Sequence, residues 1–184
     1  MFVKCVFAVV LYGMATFEEW FFHRFMHMNI DGRVQMNHKN HHKHTNPQFL
    51  VELSHSDDIC FDVRNIDDVL QLFVFWIFNT IMLYLLFTPY ISLFICSSSC
   101  LGTLLYNIFV WNTYHAYIHG LCASEICFMK GISYQYVPVN NWYSLWIIRN
   151  HQLHHKYPKK NYNIIFPGAD YILGTNIDDN NIQI

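Results

Sequence analysis

Histidine is the residue type whose number and spacing in this chain could support chemistry. The sequence holds twelve histidines, more than its eleven lysines and arginines together. Ten of the twelve fall in four short motifs: His23-Arg-Phe-Met-His27, His38-Lys-Asn-His41-His42, His115-Ala-Tyr-Ile-His119 and His151-Gln-Leu-His154-His155. An HxxxH motif followed by an HxxHH motif therefore occurs twice, which is a repeat of potential metal ligands rather than of hydrophobic residues.

The spacing within each motif suits a helix. Residues three and four apart share a helical face, with Cβ atoms about 5–6 Å apart. We therefore expect each motif to direct all of its imidazoles toward one point. A single HxxxH motif is typical of two surface histidines. Ten polar rings near a bilayer, however, would be costly to bury without a shared partner, so the four motifs together favour a metal site over solvated histidines.

The number of candidate ligands indicates two metal ions. Imidazole binds iron, zinc, copper and nickel, whereas a structural zinc site closes at four ligands and often uses thiolates. Ten histidines match two ions with four or five nitrogens each. Because neutral imidazoles add no negative charge, ions held by them would remain electrophilic and could bind O2. The candidate ligands are His23, His27, His38, His41, His42, His115, His119, His151, His154 and His155.

The rest of the sequence predicts a membrane protein. It is 53% hydrophobic and only 13% charged, against about 25% charged residues in an average soluble domain. Residues 2–17, continuing to 22, and residues 69–88 and 90–114 are apolar stretches near the roughly 20 residues that a helix needs to cross a bilayer. Pro89 separates the last two and predicts a tight hairpin. A cleaved signal peptide is the alternative for the first stretch, but no convincing cleavage site follows it.

The positive charges predict the orientation. Ten of the eleven lysines and arginines, all but Lys4, lie in residues 23–68 or 115–184. The positive-inside rule places these regions, and all twelve histidines with them, on the cytosolic side, with the amino terminus across the membrane. The net charge of −2 provides no basic field for nucleic acid. Six cysteines without a CxxC pair indicate reduced thiols.

The predicted fold is therefore an all-α integral membrane bundle of about three transmembrane helices with a histidine-rich helical cap at the cytosolic face. Residues 1–184 form a single domain. Asn141 is expected to cap a helix over residues 142–157 that Pro158 closes. Residues 176–184, which are rich in Asn and Asp, are expected to be disordered. His44 and His55 fall outside the motifs and are interpreted as surface residues.

The four motifs, in this order around a membrane hairpin, resemble the fatty acid hydroxylase / sterol desaturase superfamily. The resemblance covers about residues 17–175. It is supported by the HRxxH form of the first motif and by the stretch NYNIIFPGADYILGT, in which an aspartate precedes a Gly-Thr pair. Carotenoid hydroxylases carry similar motifs.

This resemblance implies a membrane-bound di-iron oxygenase that hydroxylates or desaturates a C–H bond of a sterol or fatty acyl lipid. It implies the ten motif histidines as ligands of two iron ions (zinc in a purified form), O2 as oxidant, and an external electron donor such as a b-type cytochrome with its reductase. In a eukaryotic host the membrane would be of the endoplasmic reticulum type. Asp170 is either a residue that orients a ligand histidine or a helix-terminal or turn aspartate, and Glu19 either bonds a ligand ring or lies at the interface.

Two other classes of function stay open on the sequence alone. One is a non-catalytic membrane protein that binds metal, or that binds haem through one histidine from each of two helices. The other is an accessory homologue of an active hydroxylase, because many members of the superfamily have more membrane crossings than the three predicted here.

Overall fold

The computed structural model describes residues 2–28, 33–51, 66–121 and 139–179, and their regular structure is helical. The helices are α1 (Phe2–Met26), α2 (Arg33–His44), α3 (Ile66–Phe87), α4 (Leu93–Val110), α5 (Ala116–Ile118), α6 (Trp142–Lys156) and α7 (Ala169–Ile172), and a π-helical turn (Trp111–His115) joins α4 to α5. An isolated bridge between Thr45 and Val51 is the only β-type pairing in the described ranges. The predicted all-α fold is confirmed.

Three of these helices are long and apolar enough to cross a membrane. They are Phe2–Met26, Val69–Phe87 and the continuous stretch Leu93–Ile118, in agreement with the three predicted crossings. At 1.5 Å per residue a 26-residue helix is about 39 Å long, which exceeds the roughly 30 Å of a bilayer core. Two of these helices end at motif histidines, remote from the hairpin: His23 and His27 lie at the end of α1, and His115 and His119 lie at the end of Leu93–Ile118. At most 22% of the residues in any of the three spans are buried within the chain, so the remaining side chains are at least partly accessible to lipid.

The hairpin between α3 and α4 forms as the sequence predicts. Helix α3 ends at Phe87, two residues before Pro89, and the side chain of Ser92 caps α4 by accepting a hydrogen bond from the amide of Ile95. Helices α3 and α4 lie side by side, and α1 packs on them, with the Phe7 and Phe87 rings 5.1 Å apart. This apolar cluster near the hairpin holds the three membrane helices together.

A second apolar cluster supports the histidine end of the molecule. Asn141 caps α6 as predicted, accepting a hydrogen bond from the amide of Ser144. The helix then presents its buried isoleucines to the end of α4 and to the chain segment after α6. The buried members of this cluster are Val110, Tyr114, Ile118, Ile147, Ile148, Ile164 and Ile165.

The expected disorder from residue 176 onward is wrong for residues 176–179. The buried Asn161 side chain accepts a hydrogen bond from the Ile177 amide (2.8 Å) and donates one to the Ile177 carbonyl (2.9 Å). Lys156 pairs with Asp179 at 2.7 Å. These partners lie at least sixteen residues away, so the local composition did not reveal them. Residues 180–184 lie outside the described ranges.

Candidate metal centre

The ten motif histidines lie together in two groups of five. Site A consists of His23, His27, His38, His42 and His154, and site B consists of His41, His115, His119, His151 and His155. In each site one nitrogen from every ring lies within 4.8 Å of the others. Both groups consist of histidines alone, and each could hold a metal ion.

The expectation that each motif directs all its rings to one point is wrong for the two HxxHH motifs. His38 and His42 belong to site A, whereas His41 belongs to site B. In the second half of the chain, His151 and His155 belong to site B, whereas His154 belongs to site A.

Helix geometry explains this division. Successive residues are about 100° apart at 3.6 residues per turn, so i and i+4 are separated by about 40°, whereas i+3 and i+4 are separated by about 100°. Every i, i+4 pair therefore stays in one site, and the remaining histidine of each HxxHH motif turns to the other. Each site receives four rings from one half of the chain and one from the other.

The nitrogens of site A are arranged as ligands around an ion would be. The Nε2–Nε2 distances are 2.8 Å from His27 to His154, 2.9 Å from His27 to His38, and 3.2 Å from His42 to both His38 and His154. Two ligands 90° apart at metal–nitrogen distances of about 2.0–2.1 Å would be separated by about 2.9 Å. The observed distances match this value.

Site B repeats the arrangement and adjoins site A. Its Nε2–Nε2 distances are 2.9 Å from His119 to His151, 3.0 Å from His151 to His155 and 3.0 Å from His41 to His155. The ring of His155 stacks on that of His42 in site A, with centroids 4.2 Å apart. Two ions in these sites would therefore be close neighbours.

Burial keeps the rings neutral. It lowers the pKa of His27 and His119 to about 4 and that of His42 to about 3. For His151 and His154, burial and then the neighbouring histidines hold the pKa well below 6.5. A neutral imidazole offers a lone pair, which is the form that binds a metal ion.

Backbone carbonyls fix the tautomer of three ligand rings. A carbonyl oxygen only accepts hydrogen bonds, so an Nδ1 atom that faces a carbonyl carries the proton. The Nε2 atom of the same ring is then unprotonated, and its lone pair is available to a metal ion. Two of these rings belong to site A and one belongs to site B. The bonds run from His23 to the Tyr162 carbonyl (2.7 Å), from His154 to the Lys160 carbonyl (2.7 Å) and from His119 to the Phe49 carbonyl (2.6 Å).

Helix ends deliver most of the ligands. The last turn of α1 carries His23, and the π-helical turn after α4 carries His115, over which the Trp111 ring lies at 4.4 Å. π-Helical turns inside α-helices are frequent at functional sites because they change the direction of the side chains that follow. No residue pattern in the sequence predicted this turn.

Asp170 and Glu19 lie close to the centre but bond to backbone and side-chain groups of the chain after α6. Asp170 accepts hydrogen bonds from the Asn163 amide (2.6 Å) and the Thr175 hydroxyl (2.5 Å) and lies in the first turn of α7, as expected of a helix-terminal or turn aspartate. The Glu19 carboxylate is buried and accepts from backbone amides of residues 164–166. None of these bonds is the contact with a ligand ring that was one of the two expectations for Glu19.

Of the two histidines outside the motifs, His44 belongs to neither site. His44 ends α2 and is half-buried rather than on the surface. His55 lies outside the described residues.

Comparison of the chain with protein-family models, with curated proteins and with solved structures gave no match. The superfamily resemblance therefore stays a prediction that depends on the motif residues.

Proposed function

We propose that the protein is a membrane-embedded oxidoreductase that uses two iron ions and O2 to hydroxylate, or to desaturate, a C–H bond of a sterol or fatty acyl lipid. The observation that carries the proposal is the pair of adjoining five-histidine sites at the ends of membrane-length helices. This placement and the motif resemblance support the same class of enzyme.

The reaction needs an external source of electrons. Two iron ions held side by side would supply the activation of O2. For hydroxylation, the lipid C–H group, O2, two electrons and two protons give the alcohol and one water. For desaturation, a lipid with two adjacent C–H groups, O2, two electrons and two protons give the alkene and two waters. We propose that a b-type cytochrome with its reductase supplies the electrons.

The residues of the chain would hold the ions and exclude water. Four of the rings are fully buried, and as neutral imidazoles they provide ligands without adding negative charge. They are His41, His119, His151 and His154. The membrane helices expose apolar side chains to the surrounding lipid, so a lipid chain can approach the histidine end without leaving an apolar environment.

The arrangement of the nitrogens argues against the alternative haem function. Bis-histidine haem needs a flat gap between two opposed rings, one from each of two helices. Here five nitrogens in each site lie within 4.8 Å of one another, and such crowding leaves no gap for a porphyrin. A metal ion fits the same space.

We further propose that the histidine end faces the cytosol, in an endoplasmic reticulum-type membrane if the host is eukaryotic. The excess of lysine and arginine in residues 23–68 and 115–184 supports this orientation. Glycosylation reporters fused to either end of the chain would test it, with modification expected only at the amino-terminal fusion.

Metal analysis and lipid analysis together test the proposed function. The purified protein should contain about two iron ions per chain and show no Soret band. Cells that express it in the presence of ¹⁸O2 should accumulate a lipid with one labelled hydroxyl group, or a new alkene. His154→Ala should abolish this product without affecting membrane insertion, and the matched control His44→Ala should retain it. A Soret band, fewer than two metal ions, or an unchanged lipid profile would overturn the proposal.

A further inference from the structure

Two short loops outside the histidine motifs each serve one metal site. Loop A, residues 160–166, provides the carbonyls of Lys160 and Tyr162 that accept from ligand rings of site A. Loop B, residues 45–51, provides the carbonyl of Phe49 that accepts from a ligand ring of site B. The position of each loop therefore determines where the ligand nitrogens of its site point.

The carboxylate of Glu19 fastens loop A. It accepts hydrogen bonds from the backbone amides of Ile164 (2.8 Å), Ile165 (2.6 Å) and Phe166 (2.8 Å). The Asn163 side-chain amide lies at 3.4 Å. Both carboxylate oxygens are used, Oε1 by the amides of Ile164 and Ile165 and Oε2 by the amide of Phe166.

The place of Glu19 on α1 gives these bonds a specific effect. Glu19 lies one helical turn before His23, so both side chains project from the same face of the helix. The helix thus contacts loop A twice: Glu19 binds its amides, and the His23 ring donates to its Tyr162 carbonyl. Fixing the amides fixes the carbonyl, and the carbonyl orients the ring.

The side chain of Asn46 fastens loop B in a similar way. Its Oδ1 atom accepts from the amides of Gln48 and Leu50, both at 2.9 Å. Phe49 has a φ of +64°, a left-handed conformation that non-glycine residues rarely adopt. The two bonds from Asn46 lie on either side of this residue and hold the backbone in the turn that presents its carbonyl to His119.

We propose that Glu19 and Asn46 are positioning residues, each specific for one metal site: Glu19 for site A and Asn46 for site B. The inference rests on the proposed function, because it takes both sites to bind a metal. The affinity of each site for its ion would then depend on a different residue outside the ligand set.

Zinc titration of the full-length protein, purified in detergent and freed of metal, tests the inference. A competing chelator reports the number and affinity of the sites. We expect two tight zinc ions in the unaltered protein. Glu19→Gln and Asn46→Ala should each weaken one ion by about 10–100-fold, the loss typical of removing groups that orient metal ligands. The Gln side chain keeps the size of Glu but places an N–H group against backbone amides.

Combined variants identify which ion is affected. The double change His27→Ala/His38→Ala leaves site A three of its five histidines, fewer than the four ligands of a closed zinc site, so Glu19→Gln in that background should leave the remaining tight ion unchanged. Asn46→Ala in the same background should weaken it. Glu18→Gln, one residue from Glu19 and directed at α3, is the matched control and should keep both ions.

The outcomes separate the inference from the proposed function. If the unaltered protein binds fewer than two zinc ions, the proposed function fails. If it binds two and either variant keeps both affinities, or weakens both ions equally, the inference fails. A tight remaining ion shows that the variant is folded. Should Glu19→Gln not fold, Asp170→Asn loosens loop A from its other side and must give the same selective loss for the inference to stand.

Discussion

A polar pair between two membrane helices allows a quantitative test of the packing. The Asn79 side chain on α3 donates a hydrogen bond to Glu18 Oε2 on α1 at 2.8 Å. Asn79 is 6% exposed, and its own amide oxygen has no hydrogen-bond partner among the described residues. Each partner therefore depends on the other, and the change Asn79→Leu would leave the Glu18 carboxyl in apolar surroundings.

The expected magnitude follows from the environment of the pair. Hydrogen bonds between membrane helices contribute about 0.6 kcal/mol on average and about 1.7 kcal/mol at most. A polar group left without its partner costs about 1–3 kcal/mol. We therefore expect Asn79→Leu to lower the free energy of unfolding by about 1–2 kcal/mol. The double change with Glu18→Leu should restore it to within about 0.5 kcal/mol, because replacing both partners removes the unpaired group.

Unfolding by sodium dodecyl sulfate in mixed micelles, followed by tryptophan fluorescence, would measure the double-mutant cycle. Trp76 on α3 lies one turn from Asn79 and donates to the Ser97 carbonyl of α4, so its fluorescence reports the separation of α3 from α4 when the bundle unfolds. Zinc stoichiometry should stay at two in every variant, since neither residue contacts a ligand ring. A single variant as stable as the unaltered protein, or a double variant less stable than both singles, would refute the reasoning.

Three further predictions concern the centre and the chain after α6. His41→Ala and His42→Ala should each weaken the binding of one zinc ion, and the double variant that of both, although the residues are adjacent; a titration in which both changes weaken the same ion would contradict the division into sites. Lowering the pH from about 6.5 to 4 should progressively destabilise the metal-free protein. In the folded protein the pKa of His27 and of His119 is lowered to about 4, so over this range the unfolded chain binds protons that the folded protein does not. The loss in free energy of unfolding is therefore absent above the pKa of histidine in the unfolded chain and complete below its pKa in the folded protein. Denaturant titrations at several pH values would measure this, and a flat profile would refute it. Thr175→Val removes a hydroxyl that donates to the buried Asp170 and accepts from the half-buried Trp20, so thermal unfolding should show a loss of about 1–3 kcal/mol, and an unchanged midpoint would count against these contacts.

Local patterns in the sequence were sufficient to predict the helices and to identify the histidines that could bind metal ions. An uncharged apolar run defines a membrane helix by its length, and Pro89 and Asn141 mark helix ends through backbone geometry that does not depend on the rest of the fold. All ten motif histidines contribute to a site because helical spacing alone brings each i, i+4 pair together.

Contacts between distant parts of the chain account for what the sequence did not reveal. Glu19 and residues 164–166 are about 145 positions apart, and no local periodicity links them. Asn46 was recognisable as a turn residue before Pro47, but its effect on His119 depends on the fold. The division of the HxxHH motifs could have been predicted, since the 100° between adjacent helical residues separates His41 from His42.

The division of ligands between the halves of the chain has a consequence for α2. Among its residues with described side chains, the buried ones are Gln35, His38 and His41, whereas Met36 is 55% exposed. The buried side chains of α2 are thus polar and include imidazoles, whereas those of α6 include isoleucines as well as imidazoles. A metal ion that binds α2 rings together with rings of α6 would supply the attachment that apolar packing does not.

Hydrogen exchange of the α2 amides therefore offers a direct measure of metal binding. We expect zinc to slow exchange in α2 much more than in α6, whose Ile147 and Ile148 remain packed without metal. The matched variant is His38→Ala, which removes an α2 ligand of site A and should reduce the protection by zinc, whereas Lys43→Ala on the exposed side of α2 should not. Equal protection of α2 with and without zinc would show that the helix is docked by other contacts, and that the histidines are gathered by the fold before any ion binds.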